Sequence, residues 1–98
     1  MRVIVKFEWD ENKNQANIKK HGINFAEAVY VFSDPFALNI PDNEHSDVEE
    51  RWILLGKSLQ MSVLLIVHTY REGDSIRIIS ARKSTKNEQR IYEMRCQK

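Results

Sequence analysis

Val63-Leu-Leu-Ile-Val-His-Thr-Tyr-Arg71 is the stretch that decides the fold. Its two alternating sets, Leu64 with Ile66 and Val63 with Leu65 and Val67, are both apolar, the pattern of a central strand covered on both faces. Two more strand-like runs flank it, about Glu50 to Ser58 and Ser75 to Arg82, joined by short polar connections at Gln60-Met61 and Gly73-Asp74. The three are expected to form an antiparallel meander.

Further upstream, Val3, Val5, Phe7 and Trp9 alternate with Ile4, Lys6 and Glu8, which predicts a strand over about 2–9. Asp10 can cap a helix over about 11–21, and Gly22 supplies its left-handed stop. That helix has little apolar content, only Ala16 and Ile18, while Lys13, Asn17 and Lys20 line one polar stripe that should face something other than the core. Asn24 and Glu27 form a capping pair before Phe25, Ala28, Val29 and Phe32, which repeat at helical intervals until Asp34-Pro35. Phe36 to Ile40 reads as a short strand, and Asp42 to Asp47 as an acidic loop. After the meander, Thr85 and Glu88 form a capping box, and Ile91 and Met94 give the last helix a narrow apolar edge beside Lys86 and Arg90. The order of elements implies a single α+β domain over 1–98, an antiparallel β-sheet packed with two N-terminal helices and one C-terminal helix.

Composition narrows the function classes. Ninety-eight residues allow one modest core and no second domain. The longest apolar run, Val63 to Val67, is far short of the ~20 residues of a membrane span, and the first residues lack a signal-peptide core, so a cytoplasmic protein with no membrane partner is expected. The lone Cys96 supports neither an internal disulfide nor a zinc site. Net charge is only +1, but residues 34–50 hold six acids and no Lys or Arg, whereas residues 82–98 hold six cations against two acids. A basic end and an acidic middle can each meet a different partner.

Strand parity gives a sharper expectation. A two- or four-residue turn centred on Gln60-Met61 would set Arg51 opposite Tyr70 and Ile53 opposite His68, and a Gly73-Asp74 turn would set Tyr70 opposite Arg77. Glu49, Arg51, His68, Tyr70 and Arg77 would then share one sheet face, apolar at one end and open as a cleft at the other. Arg82 and Lys83 stand at the end of the same run, where an apolar strand, Ile78-Ile-Ser-Ala, meets two cations and a helix start.

Such a set suits RNA cleavage without a cofactor or metal. A base must take the 2′-hydroxyl proton, cations must hold the phosphate as charge builds, and an acid must protonate the leaving 5′-oxygen. Arg51, Arg77 and Arg82 are candidates for the phosphate because a guanidinium makes two parallel hydrogen bonds. His21, Glu49 and His68 are the candidate proton carriers, kept available as bases by neighbouring arginines. Lys13, Asn17, Lys20, Lys83, Lys86 and Arg90 can contact flanking phosphates, and Tyr70 or Trp52 can stack on a base. No compact carboxylate or His/Cys pattern points to a metal, and the scattered glycines form no phosphate loop. The competing class is a module that binds nucleic acid or protein through the same basic end and breaks no bond.

Phe7-Glu-Trp-Asp-Glu-Asn-Lys13, Lys20-His-Gly22, Glu49-Glu-Arg-Trp52 and Ile78 to Thr85, in that order, resemble the BrnT family of RelE-like ribonuclease toxins. The resemblance runs from about Lys6 to Tyr92, departing from the family pattern in a longer N-terminus and in Ser84, where Ala is commoner. It implies a RelE-like fold and an endoribonuclease of a type II toxin-antitoxin system. It also implies a BrnA-like ribbon-helix-helix antitoxin as partner, with operator DNA reached only through that complex.

Overall fold

The computed structural model describes residues 5–45 and 49–97. Arg2 to Ile4 of the expected first strand, and Ser46 and Asp47 of the acidic loop, lie outside the described residues. Five strands form one sheet in the order β1-β5-β4-β3-β2, with β1 at Lys6–Glu8, β2 at Leu38–Asp42, β3 at Arg51–Lys57, β4 at Val63–Arg71 and β5 at Ser75–Lys83. The meander β3-β4-β5 is antiparallel and β4 is central, as its doubly apolar pattern requires.

The sheet is mixed rather than purely antiparallel, because β1 runs parallel to β5. Period-two alternation reports which side chains are buried, not the direction of the neighbouring strand. With β4 on one side of β5, the free edge is the other, and Lys6 to Glu8 occupy it beside Ser75 to Arg77. On the opposite edge β2 carries Pro41, which has no N–H to donate and is tolerated at an edge.

Helix α1 spans Glu11–His21, with the Asp10 carboxylate accepting from the Asn12 and Lys13 N–H groups and Gly22 at φ 72° closing the C-terminus. Helix α2 is shorter than its apolar spacing predicts: Phe25–Val29 is α-helical, and Tyr30–Ser33 tightens into a 3₁₀ turn. Helix α3, Lys86–Cys96, starts at the expected capping box. Its inward side chain is Tyr92, whereas Ile91 and Met94, expected at the apolar edge, are exposed.

The sheet buries both faces. Phe25, Ala28 and Val31 pack with Leu54, Leu64, Ile66, Ile78 and Ala81 on the face covered by α2, here the inner face. Tyr92 packs with Leu55, Val63 and Leu65 on the face covered by α3, the outer face. The 3₁₀ turn comes so close to the inner face at Gly56 that an added Cβ would lie 2.8 Å from Val31 Cγ1 and 3.0 Å from Ala37 Cβ. Asp34 ties three elements together, accepting from Lys57 N at 2.8 Å, Phe36 N at 3.0 Å and the Tyr92 hydroxyl at 2.5 Å. Burial opposes its ionisation, but these three donors together hold its pKa below the ordinary carboxylate value.

Candidate functional site

Both hairpin loops contain an odd number of residues, which redistributes the constellation expected from sequence. Ser58 N donates to Ser62 O across the first loop, leaving Leu59-Gln60-Met61, with Met61 at φ 67°. The second closes on Arg71 paired with Ser75, leaving Glu72-Gly73-Asp74. Trp52 therefore pairs with His68 and Ile53 with Val67, one step from the expected register, and Thr69 pairs with Arg77. A one-residue slip exchanges faces. The two slips cancel between β3 and β5, so Arg51 and Arg77 stay together on the outer face, while His68 and Tyr70 of the intervening strand turn to the inner face.

A β-bulge adds Arg82 to the outer face. Between the pairs His68–Ile78 and Val67–Ser80, Ile79 is an extra residue in β5. In a regular strand Arg77 and Arg82, five positions apart, would point to opposite sides. The extra residue changes the parity beyond it, so Arg82 lies opposite Leu65 on the outer face, while Ala81 reaches the inner core.

Arg51 and Arg82, but not Arg77, line a cleft of about 370 Å³ on the outer face, beside the packed ground of α3. Its walls are Asp42 and Glu44, Arg51 and Ile53, Leu65 and Val67, Ile79, Ser80 and Arg82, and Glu88 from α3. Asp42 is buried on the strand position paired with Arg51. Arg82 is gripped bidentately by Glu88, Nη1 to Oε1 at 2.8 Å and Nη2 to Oε2 at 2.9 Å. The Arg82 hydrogen bond is the main cause of a lowered Glu88 pKa, and the Glu88 bond raises that of Arg82. Two guanidinium groups thus stand among three carboxylates: anion-binding forks and proton acceptors occupy one depression.

The family-model comparison matches residues 9–88 to the ribonuclease toxin BrnT of type II toxin-antitoxin systems. The chain belongs to the BrnT family. Among solved structures, the 1.1 Å crystal structure of the Brucella abortus ribonuclease toxin BrnT superposes with a TM-score of 0.67 at 25% sequence identity, covering 85% of this chain and all of that one. No match is found among curated proteins. This BrnT family member has no helix among its described residues long and apolar enough to cross a membrane.

The remaining sequence candidates lie outside the cleft lining. His68 is fully buried on the inner face, its ring 4.9 Å from that of Phe32 and 5.5 Å from that of Tyr70. Burial lowers its pKa to about 4 against the smaller opposing effect of the Ile66 carbonyl. Tyr70 is half-exposed, edge-on to Trp52, and its hydroxyl accepts from Asn39 Nδ2 at 2.6 Å. Glu49 lies 3.6 Å from Arg71 in an exposed pair, and Arg77 Nη1 donates to Glu8 at 2.8 Å. On α1, Lys13 and Lys20 are exposed and His21 is half-buried at the C-terminus. Lys83, Lys86 and Arg90 are exposed cations around the start of α3.

Asn17 corrects the expected polar stripe. It is buried, its amide donating to Ala81 O at 2.8 Å and Ile23 O at 2.9 Å while its oxygen accepts from Ala81 N at 3.1 Å. The side chain satisfies the β5 edge beyond the last β1 pair, and so docks α1 on the sheet in place of apolar packing. Asn14, also buried, accepts from Phe25 N at 2.8 Å and positions the start of α2. Sequence reasoning missed Asp42, Glu44 and Ser80 as cleft residues and read Glu88 only as a cap. Placing Asp42 in the strand paired with Arg51 would have pointed to it.

Proposed function

We propose that this BrnT family member is a metal-independent endoribonuclease that cuts RNA by 2′-hydroxyl attack and thereby inhibits translation in the cytoplasm. The observation that carries the reading is the convergence of Arg51 and Arg82 in one carboxylate-lined cleft of a ribonuclease-toxin family member. Arg51 and Arg82 hold the scissile phosphate and stabilise the charge that develops on it. Asp42 and Glu44 are the cleft carboxylates to which we assign the uptake of the 2′-hydroxyl proton. The 2′-oxygen forms its bond to phosphorus as the bond to the 5′-oxygen breaks. A 2′,3′-cyclic phosphate results, and the leaving oxygen takes a proton from water.

Exposed Lys83, Lys86 and Arg90 hold neighbouring phosphates, contributing affinity with little sequence preference. Membership in a type II system supports an antitoxin partner, and we assign that role to a ribbon-helix-helix protein of the BrnA kind that brings the toxin to operator DNA.

The test is cleavage of a defined single-stranded RNA by purified protein in EDTA. Wild-type protein should leave cyclic-phosphate ends. Arg82→Ala and Arg51→Ala should lower the rate by roughly 10²- to 10³-fold, or about 3 to 4 kcal/mol, with circular dichroism unchanged. Full cleavage by both variants would remove the assignment, and intact RNA with excess wild-type protein would favour the binding module.

A further inference from the structure

Arg82 has five N–H donors, and its surroundings dispose of them unequally. Nη1 donates to Glu88 Oε1 at 2.8 Å and to the Lys83 carbonyl at 3.1 Å, and Nη2 donates to Glu88 Oε2 at 2.9 Å. The end-on edge of the guanidinium is therefore taken. What remains is the side-on edge, Nε–H with the second Nη2 proton, and neither makes a hydrogen bond among the described residues. Those two protons form a parallel fork of the geometry that two phosphate oxygens accept.

Glu88 is itself held. It occupies the third residue of α3, its Oε1 accepting from Thr85 N at 2.8 Å and its own N–H donating to Thr85 Oγ1 at 3.1 Å. Its backbone belongs to the helix and its carboxylate to the capping box, so the direction of its two oxygens is set before any ligand arrives. The Arg82 side chain would otherwise sample several rotamers; here its plane is chosen in advance.

We infer that Glu88 is a positioning residue for the cleavage reaction, fixing the Arg82 guanidinium so that its Nε–Nη2 edge is the one offered to the substrate phosphate. This rests on the reading of the cleft as the ribonuclease site. Two simpler roles make different demands. If Glu88 only neutralised Arg82, removing its charge would strengthen catalysis; if it only capped α3, its loss would act through stability alone.

Glu88→Gln separates them. The amide oxygen can still accept from Thr85 N, preserving the helix start, but the amide N–H now faces a guanidinium donor and turns Arg82 away. With the same defined RNA, kcat should fall by at least about tenfold while KM does not rise. Thr85→Ala is the control, since it deletes the Oγ1 acceptor but leaves both carboxylate contacts with Arg82: Tm should fall and kcat should stay within about twofold. A Glu88→Gln kcat equal to or above wild type, or an equal kcat loss in Thr85→Ala, overturns the inference.

A second measurement needs neither turnover nor a folded variant. In guanidinium NMR of the wild-type protein, Arg82 should show separate, slowly exchanging Nη signals. Inorganic phosphate should shift its Nε–H resonance and leave those Nη signals in place. Collapse of the Nη signals as phosphate binds, or no response at Nε, overturns the inference. If wild-type protein fails to cut the RNA, the ribonuclease reading falls by itself; if it cuts and Glu88→Gln cuts equally well, only the role of Glu88 falls.

Discussion

The two faces of the sheet use polar side chains in opposite ways. On the inner face His68 is sealed among aromatic rings, and Asn17 seals the adjoining β5 edge with its carboxamide. On the outer face, hydrocarbon under Tyr92 gives way to a depression lined by Arg51, Arg82 and three carboxylates. Burial on both faces follows from the same apolar strands. What differs is that α2 and the 3₁₀ turn cover the inner face closely, whereas α3 rests on one end of the outer face and leaves the other uncovered. Face assignment, more than residue type, separates structural polarity from chemistry, and it rests on two odd loops and one bulge.

His68→Leu should produce the largest effect that breaks or upholds this comparison. Burial depresses the folded-state pKa of His68 to about 4, below the ordinary 6.5. The unfolded chain therefore binds a proton between these values that the folded chain does not. Stability is fully present above pH 6.5 and falls as pH drops through the interval, by about 3 kcal/mol at the lower end. The ordinary Glu88 carboxyl pKa is 4.5 and its folded value is lower, so its contribution is lost only at the acid end of that range and below. Urea unfolding at a series of pH values should thus show a slope from pH 6.5 to about 4 that His68→Leu flattens. At neutral pH the substitution should change stability by less than ~1.5 kcal/mol, since it removes an Nε2 with no hydrogen-bond partner and fills similar volume. RNA cleavage should persist. Lost cleavage in a folded His68→Leu protein would return His68 to the proton carriers and erase the functional division between the faces.

Much of this was legible in the chain. The Asp10 and Gly22 boundaries, the Thr85–Glu88 box and the doubly apolar β4 are local signals, and each appears where its chemistry requires. Register was less legible because it depends on loop parity. The left-handed position of the first hairpin is held by Met61, whereas Gly or Asn would have advertised it. Gly73 and Asp74 both adopt positive φ, as a two-residue turn would require, yet Glu72 joins the loop. The bulge at Ile79 has no residue-type signature at all. α1 is illegible for another reason: its buried residues are Asn14 and Asn17, so hydropathy counts as solvated a face that bonds the start of α2 through Asn14 and the β5 edge through Asn17.

Asn17→Ala tests that edge and should have the intermediate effect. It leaves Ala81 N–H and C=O, together with the Ile23 carbonyl, without their partner at a buried position. A loss of about 2 kcal/mol is expected in denaturant unfolding, with faster hydrogen exchange at Ala81 N–H. Cleavage measured below the shifted unfolding transition should be unchanged. An unaltered unfolding midpoint together with impaired RNA binding would restore Asn17 to the polar stripe that contacts RNA.

Arg77→Ala should have the smallest effect, and it sharpens the comparison within the outer face itself. Arg77 shares that face with Arg51 and Arg82, but its Nη1 is engaged by Glu8 of β1 at 2.8 Å, and it does not line the cleft. The pair is partly exposed, 30% for Arg77 and 42% for Glu8, so solvent screening leaves it worth only about 0 to 1 kcal/mol. Cleavage should fall by less than about tenfold, and the modest loss should shrink further as salt rises, as for a residue that attracts RNA without touching the reacting phosphate. The same salt series on Arg82→Ala should leave its much larger defect in place. Were Arg77→Ala as inactive as Arg82→Ala at every salt concentration, the reacting phosphate would have to reach the β1 edge, and the catalytic surface would extend across the bulge from Arg82 to Arg77.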